Sequence, residues 1–244
     1  MNVRTWQTIG VIIACSLAVG GTATAQASRG LEIKWVRDSE AYATLTRQVY
    51  RVALEAVAQQ VENRTGSGPW AVVLDIDETT LDNSAYQLEL GTYGTGYDDA
   101  SWNAWVARRE APAVPGVLAF IDGVRDLGGN VAWVSNRFAV STDDTRANLA
   151  AEELWHVNDR LCLKGDPEYT KVVRRAEVAA GQGACGWEGT PMEVVVFIGD
   201  QLGDLPGTGE PFPEAGEDAA FGTRFFLLPN PMYGPWARRV TRRR

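Results

Sequence analysis

Histidine is almost missing: among 244 residues the single one is His156. A histidine nucleophile served by a second histidine is therefore excluded, and the lone imidazole reads as a helix-end residue. Cysteine is scarce, with three residues, and no Cys-x-x-Cys or Cys/His cluster offers a zinc site. Positive charge is in deficit as well. The formal net charge of −8 argues against binding of a nucleic-acid polymer, because phosphate backbones are gripped by basic faces. An anionic ligand would then need a local positive centre. The basic residues that do cluster, in RRVTRRR from Arg238 to Arg244, read as a solvated tail. The apolar run from Ile9 to Val19 is too short to span a bilayer as a mature helix.

That run follows Arg4 and precedes ATAQA, which offers two Ala-x-Ala cleavage sites, so residues 1–25 read as a secretory signal and 26–244 as the mature domain. The alternative is lipoprotein processing at IIAC, which would make a lipid on Cys15 the sole membrane contact. Either way the protein reads as exported and periplasmic. An oxidising compartment leaves two states open for Cys162 and Cys185, a disulfide or two buried thiols. With 45% hydrophobic residues and nine tryptophans, the chain can bury one large core and carry a small subdomain. A second copy of the chain is left open as a partner.

Tyr42, Leu45, Val49, Val52 and Ala56 recur at alternating three and four spacing and predict one buried helix face. TGSGP, from Thr65 to Pro69, ends it. Beyond, WAVVLD, NVAWVS, RLCLK, EVVVFIGD and TRFFLLP read as strands. Helices are predicted between them near Val114 to Leu127, Thr142 to Trp155 and Glu168 to Ala180. Strand and helix in alternation predict an α/β fold, a doubly wound parallel sheet covered on both faces. The segment Ser84 to Ala111 is too long for a plain connection and predicts a small helical cap. The sheet core is placed at about 68–83 and 113–236, and the helical subdomain at about 31–64 and 84–112.

The stretch VVLDIDETTLDN, Val72 to Asn83, crowds Asp75, Asp77, Glu78 and Asp82 at a strand's end. In such sheets ligands bind beyond the carboxyl ends of the strands. The other strand ends deliver Ser135, Asn136 and Arg137, then Lys164, then Asp200 and Asp204. Residues two apart on extended chain point the same way, so Asp75 and Asp77 can face one reacting group as nucleophile and acid/base partner. Asp200 would supply further oxygens for a hard cation such as Mg²⁺, which offsets the repulsion of clustered carboxylates. Ser135 can hydrogen-bond phosphoryl oxygens, and Lys164 adds positive charge. Glu78 and Asp82 also read as acids that favour a helix start. The set as a whole describes phosphoryl transfer.

DIDETTLDN, VSNR, LCLKGD and GDQLGD resemble the four motifs of the haloacid dehalogenase superfamily of phosphatases. With WVRDSEAY, WNAWVARREAPAVPG and FFLLPNPMYGPW, the chain is similar to the bacterial class C acid phosphatases, including exported lipoprotein 5′-nucleotidases, over nearly the whole mature length. The resemblance implies Asp75 as the nucleophile that forms an aspartyl-phosphate and Asp77 as the acid/base. It implies Mg²⁺ on Asp75, the backbone carbonyl of Asp77 and Asp200, with Asp204 acting through water or orienting Lys164. Ser135 and Lys164 match the phosphoryl-binding hydroxyl and amine. Trp102 and Tyr233 match two aromatics that clamp a nucleotide base, and Asn136 and Arg137 stand as further substrate-binding residues. The implied substrate is a small phosphomonoester. Two stretches depart from the pattern, ELGTYGTGYDDAS in the cap and the Pro- and Gly-rich PGTGEPFPEAGEDAAFG after Asp204.

Two other classes use the same scaffold or the same groups. A catalytically weak nucleotide-binding or interaction lipoprotein would be favoured by loss of Asp75, Asp77, Lys164 or Asp200, and all four are present. A phosphorylatable receiver domain also gathers acids, a hydroxyl and a lysine around Mg²⁺, but the export signal and the acid at Asp77 argue against it. A dehalogenase needs neither Mg²⁺ nor that acid.

Overall fold

The computed structural model describes residues 30–238 except positions 215 and 217. The signal segment, Cys15 and the arginine tail from 239 onward lie outside the described residues. The strand WAVVL, β1 (Trp70–Leu74), is buried at every position, which requires cover on both faces. It lies at the centre of a five-stranded sheet with β2 (Asn130–Phe138), β3 (Arg160–Lys164), β4 (Glu193–Gly199) and β5 (Phe225–Leu227). The order is β3-β2-β1-β4-β5 and every pairing is parallel. Strand order reverses at β1, which opens a crevice beyond its carboxyl end. This is the α/β sheet architecture that the sequence predicts.

Helices α1 (Leu31–Asp38) and α2 (Glu40–Glu62) precede the sheet; α3 (Ser84–Tyr93) and α4 (Asp99–Arg108) follow β1; α5 (Val117–Asp126), α6 (Thr142–Ala151) and α7 (Lys171–Ala180) connect the later strands. Alternation along β1 sorts the core. Val72 and Leu74 join Trp133 and Ile198 on the face covered by Tyr50 and Val57 of α2 and Phe120 of α5. Ala71 and Val73 join Val134 and Phe197 on the other face, with Val178 of α7 and Trp187. No helix among the described residues is long and apolar enough to cross a membrane.

Two expectations shift in detail. The buried face of α2 includes Tyr42 and Ala56, as predicted, together with Thr46, Tyr50, Ala53 and Val57, while the predicted Leu45, Val49 and Val52 are half-buried at its edge. Thr46 tolerates burial because its hydroxyl bonds the Tyr42 carbonyl within the helix. Tyr50 reaches across to donate to the Thr79 carbonyl at 2.5 Å. Helix α2 thereby packs with the sheet's core, whereas α3 and α4 contribute Gln87, Leu90 and Trp102 to the wall of the cleft over Asp75.

Candidate active site

The chain after β1 folds back tightly. Thr80 and Leu81 N–H both donate to the Ile76 carbonyl, Glu78 N–H donates to the Leu81 carbonyl, and the Thr80 hydroxyl donates to the Asp75 carbonyl at 2.7 Å. Glu78 adopts φ 57° to make the turn, and its carboxylate accepts from Asn83 N–H at 2.9 Å. Asp82 accepts from Ser84 N–H at 2.7 Å, so both acids do brace the start of α3. The loop holds Asp75 and Asp77 facing a cleft of about 950 Å³ that they share with Asp200 and Asp204.

Asp75, Asp200 and Asp204 are all buried and bring one carboxylate oxygen each within 4.8 Å of one another. Asp204 can come so close because Gly199 has no side chain: a Cβ there would stand 2.3 Å from the Cβ of Asp204. Asp200 is held by Asn230 at 2.7 Å and Gln201 at 2.6 Å. Burial, with repulsion from Asp204, pushes the Asp200 carboxyl up to about 7. Burial also raises Asp75 well above the usual carboxylate range; Lys171 opposes this, and the neighbouring acids add to it. Three carboxylates facing one lysine is a donor set of hard oxygens in excess negative charge, and it fits a divalent cation. Asp77 stands apart from this triad. Its Oδ1 accepts from Arg137 Nε at 2.9 Å and Asn83 Nδ2 at 3.0 Å, and its Oδ2 faces the Ser135 hydroxyl at 3.3 Å.

The lysine of the site is not Lys164. That side chain ends the edge strand β3, where its amine lies 5.7 Å from the Phe138 ring centroid. Lys171, the first residue of α7, is buried with Nζ 2.6 Å from Asp75 Oδ1 and 2.5 Å from Asp204 Oδ1. Burial disfavours its charge, but the two carboxylates outweigh that and raise its pKa. Asp204, expected to orient Lys164, instead holds Lys171. Sequence reasoning went to the strand end. The signal for Lys171 was available in KVVRR: Lys171, Arg174 and Arg175 share one face of a predicted helix, and all three are buried.

Ser135 is fully buried beneath the cleft; its hydroxyl accepts from Arg137 N–H at 3.1 Å and donates to Asp77 Oδ2 at 3.3 Å. The cleft wall is formed instead by its neighbours Asn136 and Arg137. Trp102 and Tyr233 both line the cleft, as does Tyr97, which is 58% exposed and had not been singled out. Trp102 is itself mostly buried, packed edge-on against Tyr86 at 5.2 Å with the Arg137 guanidinium 5.8 Å from its ring. Asn83 was also missed. It takes the Trp105 indole N–H on Oδ1 at 2.8 Å and so ties the cap to Asp77. The cap stretch Leu90 to Tyr97 borders the cleft, whereas the Pro- and Gly-rich loop is anchored away from it by the buried Arg175–Glu210 pair at 2.6 Å. Cys162 and Cys185 are buried free thiols, and burial raises Cys162 well above the ordinary thiol range.

Known proteins place this arrangement. A solved class C acid phosphatase from Bacillus anthracis superposes with a TM-score of 0.70 at 27% identity, covering 87% of this chain and 86% of that one. A crystal structure of the B. anthracis enzyme with tungstate bound matches equally well at 28% identity. Acid phosphatase 1 of Solanum lycopersicum is 30% identical over 164 residues, and a stem 31 kDa glycoprotein of Glycine max is 29% identical over 169. The chain spans 57% and 58% of the length of those two relatives. The family model for acid phosphatases matches residues 16–236, and with nearly the whole described fold inside that match, the chain belongs to the HAD superfamily, subfamily IIIB, the acid phosphatases.

Proposed function

We propose that the protein is an exported, Mg²⁺-dependent acid phosphatase that hydrolyses small phosphomonoesters, nucleoside 5′-monophosphates among them, through an aspartyl-phosphate on Asp75. The observation that carries this reading is the pairing of a carboxylate triad with Lys171 on one side of the cleft and Asp77 on the other. Asp75 attacks phosphorus, its carboxylate brought near the substrate anion by the positive charge of Lys171. Asp77 protonates the leaving oxygen and later takes a proton from the water that attacks the phospho-aspartate. Arg137 and Asn83 donate to Asp77 Oδ1, so the proton is carried on Oδ2, beside the Ser135 hydroxyl. Asp75, Asp200 and Asp204, with the backbone carbonyl of Asp77, would hold the cation, which when bound neutralises charge on the phosphoryl group.

The Bacillus anthracis relative binds tungstate, an oxyanion like phosphate, which supports a phosphoryl-binding site in a chain of this fold. The aromatic rings of Tyr97, Trp102 and Tyr233 around one opening support a leaving group with a flat base. Export rests on the N-terminal segment alone. The experiment is hydrolysis of a phosphomonoester panel by the purified mature protein, with and without chelator. Turnover that chelator abolishes and Mg²⁺ restores, with nucleoside monophosphates preferred over glycerol phosphate, is the expected result. Full activity in chelator, with no metal found by elemental analysis, would refute it.

A further inference from the structure

Helix α7 carries three buried basic residues, and two of them have acidic partners: Lys171 with Asp75 and Asp204, and Arg175 with Glu210. Arg174 has none among the described residues, although it is fully buried. A buried cation without a counter-ion is costly, yet every bond it makes is to an uncharged acceptor. Its Nε donates to the Thr170 carbonyl at 3.2 Å, Nη1 to the Cys162 carbonyl at 3.0 Å and to the Ser135 carbonyl, and Nη2 to Asn136 Oδ1 at 2.7 Å.

The last bond decides the orientation of a residue in the cleft. Guanidinium offers only donors, so the atom of Asn136 that meets it must be the amide oxygen. Nδ2 is thereby turned the other way. Asn136 is exposed and lines the cleft, and its Nδ2 makes no hydrogen bond among the described residues. The same guanidinium grips the carbonyl of Thr170, the residue before Lys171, so one side chain sets both the amide and the start of the helix that carries the amine.

We infer that Arg174 is a positioning residue, which fixes the Asn136 amide so that Nδ2 stands as a ready donor to an oxygen of the substrate's phosphoryl group. This rests on the reading of Asp75 and Lys171 as the phosphoryl centre. The donor costs nothing to orient at the moment of binding, because its alternative flip would set two sets of N–H groups against each other.

The test uses the full mature protein with saturating Mg²⁺ and inorganic phosphate as a competitive inhibitor. Asn136→Ala should weaken phosphate about tenfold, the loss of one hydrogen bond to a charged group. Asn136→Asp keeps the shape and still bonds Arg174, but turns an oxygen towards the anion, so it should weaken phosphate more than Asn136→Ala does. Arg174→Gln should match Asn136→Ala, and the double variant Arg174→Gln with Asn136→Ala should be no weaker than the worse single one. A merely structural Arg174 would lower the active fraction and leave the inhibition constant of the remaining enzyme unchanged. Phosphate binding by Asn136→Asp equal to or better than by Asn136→Ala overturns the inference, as do single effects that multiply in the double variant. Should Arg174→Gln not fold, Arg174→Met, which fills the space without a buried charge, takes its place and should likewise match Asn136→Ala. Asp75→Asn separates the layers: retained turnover there overturns the phosphoryl centre and this inference together, while lost turnover with unchanged phosphate binding in both Asn136 variants overturns this inference and leaves the phosphoryl centre standing.

Discussion

Replacing Lys171 and Lys164 by methionine, one at a time, tests the placement of the positive centre. The Lys171 amine sits 2.6 Å and 2.5 Å from two carboxylates, with Asp200 close by. Removing one member of a buried ion pair costs about 3–5 kcal/mol, since the charges left behind stay desolvated. For a domain of this size each kcal/mol moves Tm by about 2–4 °C, so the metal-free Lys171→Met protein should melt roughly 6–20 °C below wild type. Added Mg²⁺ should restore much of that, because a cation bound only by the folded state stabilises it. Turnover should not return with it: loss of a positive donor aimed at developing charge costs about 10²- to 10³-fold in kcat. Lys164→Met removes a lysine at the sheet edge and should change stability by less than about 0.5 kcal/mol. Differential scanning fluorimetry and steady-state hydrolysis of p-nitrophenyl phosphate, with bound metal measured, give both readouts. A Lys171→Met enzyme within tenfold of wild-type kcat, or a Lys164→Met enzyme that falls as far, would refute the assignment.

Asp77→Asn should lose about 10²- to 10⁴-fold in kcat on alkyl phosphates and much less on p-nitrophenyl phosphate, whose leaving group needs no proton; equal losses across a leaving-group series would remove Asp77 from that step. In chelator, stability should fall as pH rises from about 4 to about 7. Asp200 holds its proton to about 7 in the fold but to about 3.9 unfolded, so the folded state binds more protons across that window and loses that stabilisation as it is deprotonated. Denaturant melts from pH 4 to 8 with and without Mg²⁺ should show the slope and its flattening by metal, and stability that climbs through the window without metal would contradict the burial of Asp200. Tyr97→Ala and Tyr233→Ala should each raise KM for nucleoside monophosphates by roughly 5- to 150-fold, the worth of about 1–3 kcal/mol of base stacking, and leave KM for glycerol phosphate in place; equal effects on both substrates would assign the rings to packing. Gly199→Ala should displace Asp204 and raise the Mg²⁺ concentration needed for half-maximal activity, which a metal titration would detect.

The sheet was legible because each strand carries a short apolar run, a pattern that a parallel sheet covered on both faces demands. The acids were legible because strand ends in such a sheet converge on one crevice. Lys171 was not, because that rule treats all strand ends alike. The end of edge strand β3 lies too far from β1, and the gap is bridged from the first residue of the following helix. Ser135 and Asn136 show the same limit on a smaller scale. Both lie in the last half of β2, and alternation sends the first under the cleft and the second into its wall. The α2 pattern found Tyr42 and Ala56 but not Thr46 or Tyr50, whose polar groups are satisfied by the Tyr42 and Thr79 carbonyls, partners that local spacing cannot report.

That contact between Tyr50 and the Thr79 carbonyl bears on how this chain can be divided. Every acid, the lysine and the cleft aromatics lie downstream of Trp70, so a fragment starting there would keep all the chemistry in its sequence. It would also lose the helix that covers one face of β1, and the loop between Asp75 and Asn83 would lose the phenol that pins it from behind. The smallest piece that can work as a catalyst therefore begins with α2, and trimming the chain inward from that helix should silence the enzyme before any residue that touches substrate has been removed.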